Sequence, residues 1–171
     1  RPWESVVFAN CVHINVHQTG PTKHIIKKCE TVPAHDGKLA ASDLRTVVQG
    51  YAESPVSEHV TVPRMAYISF PSESGTVYSL AELEALRAVC DEFGMYLFVD
   101  GARLAYGLAA SGNDVALPDI PRLSDAFYIG GTKCGALFGE AMVVVNPALQ
   151  PYFRNSMKQA GTMLAKGWLL G

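Results

Sequence analysis

The chain has 171 residues, 49% of them apolar and 18% charged, with a formal net charge of −2. That length supports one domain with a real core, and the near-neutral charge offers no footprint for nucleic acid or another polyanion. No apolar run reaches membrane-spanning length, no signal-peptide pattern opens the chain, and Cys11, Cys29, Cys90 and Cys134 are too scattered for a zinc site or a disulfide frame. Free thiols of this kind fit a reducing compartment, so a cytoplasmic location is expected.

In chain order, residues 5–11 read as a first strand, followed by a turn signal at Gln18-Thr19-Gly20-Pro21 and a mixed-polarity extended piece at residues 25–32. Ala34-His35-Asp36-Gly37 is a tight turn. Ser42 is the expected N-cap of a helix whose apolar face is Leu44, Val47, Val48 and Tyr51. Residues 64–70 form an apolar strand, broken by Pro71-Ser72-Glu73-Ser74-Gly75. The clearest helix starts at Ser79, with Glu82 three residues on as a capping box, and stops at Gly94. Its apolar face is Leu80, Leu83, Leu86, Val89 and Cys90.

A strand over residues 95–99, a short helix over 103–110 and a two-proline loop over 113–122 come next. Strands over 125–129 and 136–145 follow, and Pro147 starts a last helix. Near-continuous apolar strands alternating with helices predict an α/β fold, a mainly parallel sheet with helices on both faces. The chain opens on Arg1 and closes on Trp168-Leu169-Leu170-Gly171, so a piece of a longer protein is expected.

Chemistry concentrates in Tyr128-Ile129-Gly130-Gly131-Thr132-Lys133-Cys134-Gly135-Ala136. A lysine delivered from a glycine turn onto a cleft wall can lose its proton by desolvation and become a nucleophile, although an isolated loop lysine is more often simply solvated. The spacing of a Walker phosphate loop is absent. The preceding strand ends in Asp100-Gly101-Ala102-Arg103, so Asp100, Arg103 and Lys133 are expected at one sheet edge, the carboxyl edge where open α/β sheets bind ligands. Asp100 can hold a pyridine nitrogen protonated. Arg103 can fork onto a substrate carboxylate or make an ordinary ion pair. Thr132 can contact a phosphate or satisfy its own turn. His13, just past the first strand, can stack on a flat ring or sit in the core as a histidine bonded to backbone. Glu73 is either a base near the cleft or a solvated loop acid. Ser124-Asp125 lies at the start of its strand and reads as a turn or cap.

The segments Ser72-Glu73-Ser74-Gly75-Thr76-Val77-Tyr78-Ser79-Leu80, Asp100-Gly101-Ala102-Arg103-Leu104 and Gly130-Gly131-Thr132-Lys133-Cys134-Gly135-Ala136, with His13-Ile14-Asn15-Val16-His17-Gln18-Thr19-Gly20 upstream, resemble the threonine aldolase and β-eliminating lyase family. The resemblance covers nearly the whole chain in order. It implies pyridoxal 5′-phosphate (PLP) as cofactor and the large domain of an aspartate-aminotransferase type fold. The family's amino-terminal phosphate loop and carboxy-terminal small domain have no counterpart here. Lys133 would be the Schiff-base lysine, Asp100 the partner of the pyridine nitrogen, His13 the ring-stacking residue and Arg103 the carboxylate clamp. Glu73 would face the substrate, and Thr132 would be a possible phosphate contact.

The implied reaction is cleavage of threonine, or a related β-hydroxy-α-amino acid, to glycine and an aldehyde by a homo-oligomer. Other PLP-dependent β-elimination or transamination is the near alternative. A catalytically incomplete interaction piece is the distant one.

Overall fold

The structure is a computed structural model that describes residues 1–12 and 28–163. His13 and the turn expected at residues 18–21 lie outside the described residues. Six strands form one sheet: β1 (Glu4–Ala9), β2 (Lys28–Val32), β3 (Val62–Ser69), β4 (Tyr96–Asp100), β5 (Ala126–Gly130) and β6 (Glu140–Val144). Their spatial order is β2-β1-β3-β4-β5-β6. Neighbours among the first five pair in parallel, and β6 runs antiparallel to β5. The mainly parallel α/β sheet expected from the alternation of elements is the one found. The helices are α1 (Ala41–Ala52), α2 (Leu80–Glu92), α3 (Leu104–Leu108), α4 (Asp119–Leu123) and α5 (Phe153–Gln159).

Strand register sorts the side chains into two faces. Val7, Ala66 and Leu97 lie level across three strands, as do Ile68, Val99 and Phe127, and all six are buried. Helices α1 and α2 pack on each other and on this part of the sheet, contributing Leu44, Val48, Leu83, Leu86, Val89 and Cys90 to the core. Fully burying side chains of this size is worth about 1.5–3 kcal/mol each. On the opposite face the rings of Tyr67, Phe98 and Tyr128 form a ladder, with centroids 5.4 Å and 6.4 Å apart. Phe8 meets Tyr67 edge-on at 6.3 Å. Side chains alternate along a strand, so Asp100, two residues after Phe98, projects on the ladder side.

Asp125 is more than the expected turn residue. It is buried where β5 begins, and its carboxylate accepts from Arg87 of α2 at 2.7 Å, from the backbone N–H of Leu97 at 2.7 Å and from the Asn146 amide at 2.6 Å. This polar hub ties helix to sheet at the amino edge and leaves the carboxyl edge free for chemistry.

Several boundaries differ from expectation for local reasons. Helix α1 begins at Ala41 with Ala40 at the cap position and no side-chain cap, so Ser42 lies inside the helix and its carbonyl accepts from the Thr46 hydroxyl. The expected 113–122 loop closes into α4, because Asp119 accepts from the Ala116 N–H and Pro121 sits in the first turn, where a missing N–H is harmless. Strand β6 is shorter than residues 136–145, since Gly135 and Gly139 hold positive φ of 97° and 90° on either side of the intervening loop. Pro147 opens only a single turn (Pro147–Leu149), and the chain reverses at Tyr152, with φ of 58°, before α5 starts.

Candidate active site

Asp100 is the last residue of β4, level with Ser69 of β3. Two donors meet its carboxylate: the Ala102 N–H donates to Oδ1 at 3.0 Å and the Tyr67 hydroxyl donates to Oδ2. Tyr128 of β5 stands beside the same group. Burial, and then the Asp100 charge, pushes the Tyr67 phenol far above its ordinary value. Burial and the Asp100 carboxylate do the same for Tyr128. Both tyrosines therefore remain protonated donors.

The tips of β4 and β5 interlock through two glycines. A Cβ on Gly101 would lie 1.9 Å from the Tyr128 carbonyl oxygen, and one on Gly130 would lie 2.3 Å from the Ala102 carbonyl oxygen. The Gly130 N–H donates to the Gly101 carbonyl at 2.9 Å. No side chain fits at either place, so the glycines are what lets the two strand ends meet. From this junction a single turn (Thr132–Cys134) carries Lys133, and Gly135 closes it at φ of 97°. The Cys134 thiol lies 3.9 Å from the Ala102 carbonyl, so the lysine turn stays against the Asp100 strand end. Lys133 and Thr132 are exposed, and among the described residues the Lys133 ammonium has no hydrogen-bond or ion-pair partner.

Arg103 caps the short helix α3, half-exposed, with its guanidinium 3.8 Å from Glu73. Glu73 also accepts from the Ser69 hydroxyl at 3.2 Å, which places it over the tip of β3. Its loop is fixed from beneath. The Thr76 hydroxyl bonds Ser72 at 2.5 Å and the Asp36 carbonyl at 2.6 Å, and a Cβ on Gly37 would meet Ser74 Oγ at 2.5 Å. Lys38 then joins both carboxylate oxygens of Glu82 at 2.7 and 2.8 Å, binding the 35–38 hairpin to the start of α2.

The fold thus gathers Asp100, Arg103 and Glu73 at the tips of β3 and β4, and sets Thr132 and Lys133 on the turn after β5. Sequence reasoning missed Tyr67 and Tyr128. A signal existed, because a tyrosine on a half-buried strand face needs a partner for its hydroxyl. Cavities of about 380 Å³ beside Arg87 and Asp125, and of about 170 Å³ beside Arg64 and Tyr96, lie at the other edge of the sheet.

Known proteins resemble this chain in sequence and in fold. The low specificity L-threonine aldolase of Pseudomonas sp. (strain NCIMB 10558) is 31% identical over 168 residues, which are 97% of this chain and 47% of that protein. Its counterpart in Pseudomonas aeruginosa is 30% identical over the same shares. The chain therefore spans about half the length of the curated relatives it matches. The solved threonine aldolase of Leishmania major superposes with a TM-score of 0.93 at 46% identity, over 99% of this chain and 48% of that one. Residues 1–170 match the family described as beta-eliminating lyase, and the chain belongs to that family.

Proposed function

We propose that this chain is the cofactor-bearing part of a PLP-dependent carbon–carbon lyase that cleaves threonine, or a related β-hydroxy-α-amino acid, to glycine and an aldehyde. The observation that carries the reading is the interlocked junction of β4 and β5, which delivers Asp100 and Lys133 from adjacent strand tips. The names of the three relatives favour aldol cleavage over elimination or transamination.

The residues present fit the cofactor. Asp100 keeps acceptor capacity for a ring N–H after its two internal donors, Tyr67 and the Ala102 N–H, are counted. When bound, PLP supplies an electron sink for the pair released as the Cα–Cβ bond breaks. Asp100 holds the ring nitrogen and balances its charge. The Lys133 amine anchors the cofactor's aldehyde and is available to take or return a proton beside the reacting carbon. Arg103 forks onto the substrate carboxylate, and Glu73 steadies Arg103 from 3.8 Å. His13 is assigned to stacking and Thr132 to a phosphate contact.

The setting is also part of the proposal. We assign the protein to the cytoplasm, consistent with cysteines that form no disulfide among the described residues and with no helix among them long and apolar enough to cross a membrane. It acts as a homo-oligomer, supported by the exposed Tyr106, Leu137, Phe138 and Met142 near the carboxyl edge and the β5–β6 connection. Beyond this chain, the working enzyme includes a phosphate loop and a small domain.

The test is spectroscopic and chemical. Adding PLP to the full-length protein should raise an absorbance band near the visible edge that borohydride erases and Lys133→Ala lacks. Threonine should then yield glycine and acetaldehyde in equal amounts. Release of ammonia and a keto acid would move the assignment to elimination, and no lysine-dependent band would leave an interaction piece.

A further inference from the structure

Two phenols lie at the carboxylate that the proposed function assigns to the ring nitrogen. Tyr67 donates to Asp100 from β3, and Tyr128 stands beside the same carboxylate on β5, where burial and the Asp100 carboxylate keep its phenol protonated. Phe98, stacked on Tyr67 and tilted against Tyr128, shows that a plain ring fills this face of the sheet equally well. The two hydroxyls are therefore additional chemistry on a packed aromatic ladder, and both lie at the same acid.

An ionised carboxylate has about four acceptor positions and no proton to give. The Ala102 N–H and the Tyr67 hydroxyl fill two of them, and Tyr128 lies beside the same carboxylate, which leaves a direction open for a ring N–H. Each charge-assisted hydrogen bond draws electron density from the carboxylate. When a proton lies between that carboxylate and a pyridine nitrogen, the side with the less available electron pair loses it. Stripped of its phenols, Asp100 would take the proton, and the ring would become neutral and a poorer electron sink. Glu73 is the other acid whose charge reaches both phenols, and Glu140 reaches Tyr128.

We infer that Tyr67 and Tyr128 are positioning residues that act through Asp100: their hydroxyls orient its carboxylate and keep the shared proton on the cofactor's ring nitrogen. This rests on the PLP reading above. It assigns a role to two residues that do not themselves touch substrate.

The test uses the full-length protein with Tyr67→Phe, Tyr128→Phe and the double variant, each of which keeps the ring and removes only the hydroxyl. In the cofactor-free protein, proton NMR should show two slowly exchanging hydroxyl resonances downfield of the amides, one lost in each single variant. With PLP labelled with nitrogen-15 in the ring, the wild-type ring resonance should fall in the protonated range and that of the double variant should move toward neutral pyridine. Each single variant should lose roughly ten-fold in kcat at nearly constant KM, the size of one charge-assisted hydrogen bond.

Far-UV circular dichroism and melting temperature check that each variant folds. If buried Tyr67→Phe does not, the half-buried Tyr128→Phe carries the comparison. Hydroxyl resonances in the wild type with an unmoved ring nitrogen in the variants would overturn the inference alone. Hydroxyl resonances without any Lys133-dependent chromophore would overturn the functional reading, and the inference with it.

Discussion

Gly101 and Gly130 carry no side chain, yet they decide where the chemistry sits. Each fills a place where a single added carbon would run into the neighbouring strand's backbone. Gly101→Ala should destabilise the fold by about 3 kcal/mol, because the clash is with a carbonyl oxygen and cannot be relieved by a rotamer change. Urea unfolding of the apoprotein checks this, and a loss no larger than that of Gly50→Ala, where a Cβ meets nothing within 4 Å, would count against the interlock. Asp100→Asn should lower turnover about 100-fold or more while the melting curve stays close to wild type, since a carboxamide fits the space but not the charge. At this scale the sequence was readable where residue type states its chemistry. Lys133, Asp100 and Arg103 stand out as groups ending apolar runs. Tyr67 and Tyr128 did not, because their meaning depends on strand register, which brings residues about 30 and 60 positions apart to one carboxylate.

Elements show the same division between local and non-local signals. The α2 capping box was legible because its whole mechanism lies within four residues: Ser79 accepts from Glu82 N–H at 3.2 Å, and the Glu82 carboxylate accepts from Ser79 N–H at 2.8 Å. Ser79→Ala should cost about 1 kcal/mol in chemical denaturation. Ser42 looked equally like a cap, but α1 starts one residue before it, where the 35–38 hairpin delivers the chain and His35 meets Asp43 of the first turn at 2.7 Å. Asp125 was misjudged because its partners come from α2, β4 and the segment after β6. Burial pushes its carboxyl up, but the bonds from Asn146, Arg87 and Leu97 outweigh burial and hold it below the ordinary carboxylate range.

For Glu82 burial likewise opposes, and Lys38 and Ser79 prevail. Groups whose folded values are depressed lend stability that is fully present above the unfolded carboxylate value, about 4. That stability is lost as pH falls through their lower folded values. Urea midpoints should therefore hold between pH 7 and 5 and fall below about pH 4, with a shallower acid limb in Asp125→Asn. Asp125→Ala, which leaves Arg87 buried without its partner, should cost about 3–5 kcal/mol at neutral pH.

Across the whole molecule, five parallel strands aim their carboxyl ends at one edge while a polar hub closes the other. Fold class was the most legible level, because strand burial on a parallel sheet writes itself as unbroken apolar runs. The antiparallel return of β6 was not legible, since direction is set by the two positive-φ glycines of the β5–β6 connection and not by composition. The enclosure of the site was not legible either. Among the described residues the cavities beside Arg87 and beside Arg64 open at the amino edge, and this chain spans 47% of the length of its curated relatives. A ligand bridging Asp100 and Lys133 should therefore stabilise the full-length protein, by about 2.7 kcal/mol at a hundred-fold excess over Kd, read as a PLP-dependent rise in melting temperature.

The central claim is that Asp100 and Lys133 serve one small aromatic aldehyde, and reductive trapping tests it most directly. The full-length protein is incubated with PLP, reduced with borohydride, digested and mapped by mass spectrometry. The expected result is a single stoichiometric pyridoxyl phosphate adduct on Lys133, lost or strongly reduced in Asp100→Asn at limiting cofactor. An adduct spread over Lys38, Lys158 and other lysines, or one on Lys133 indifferent to Asp100, would contradict it.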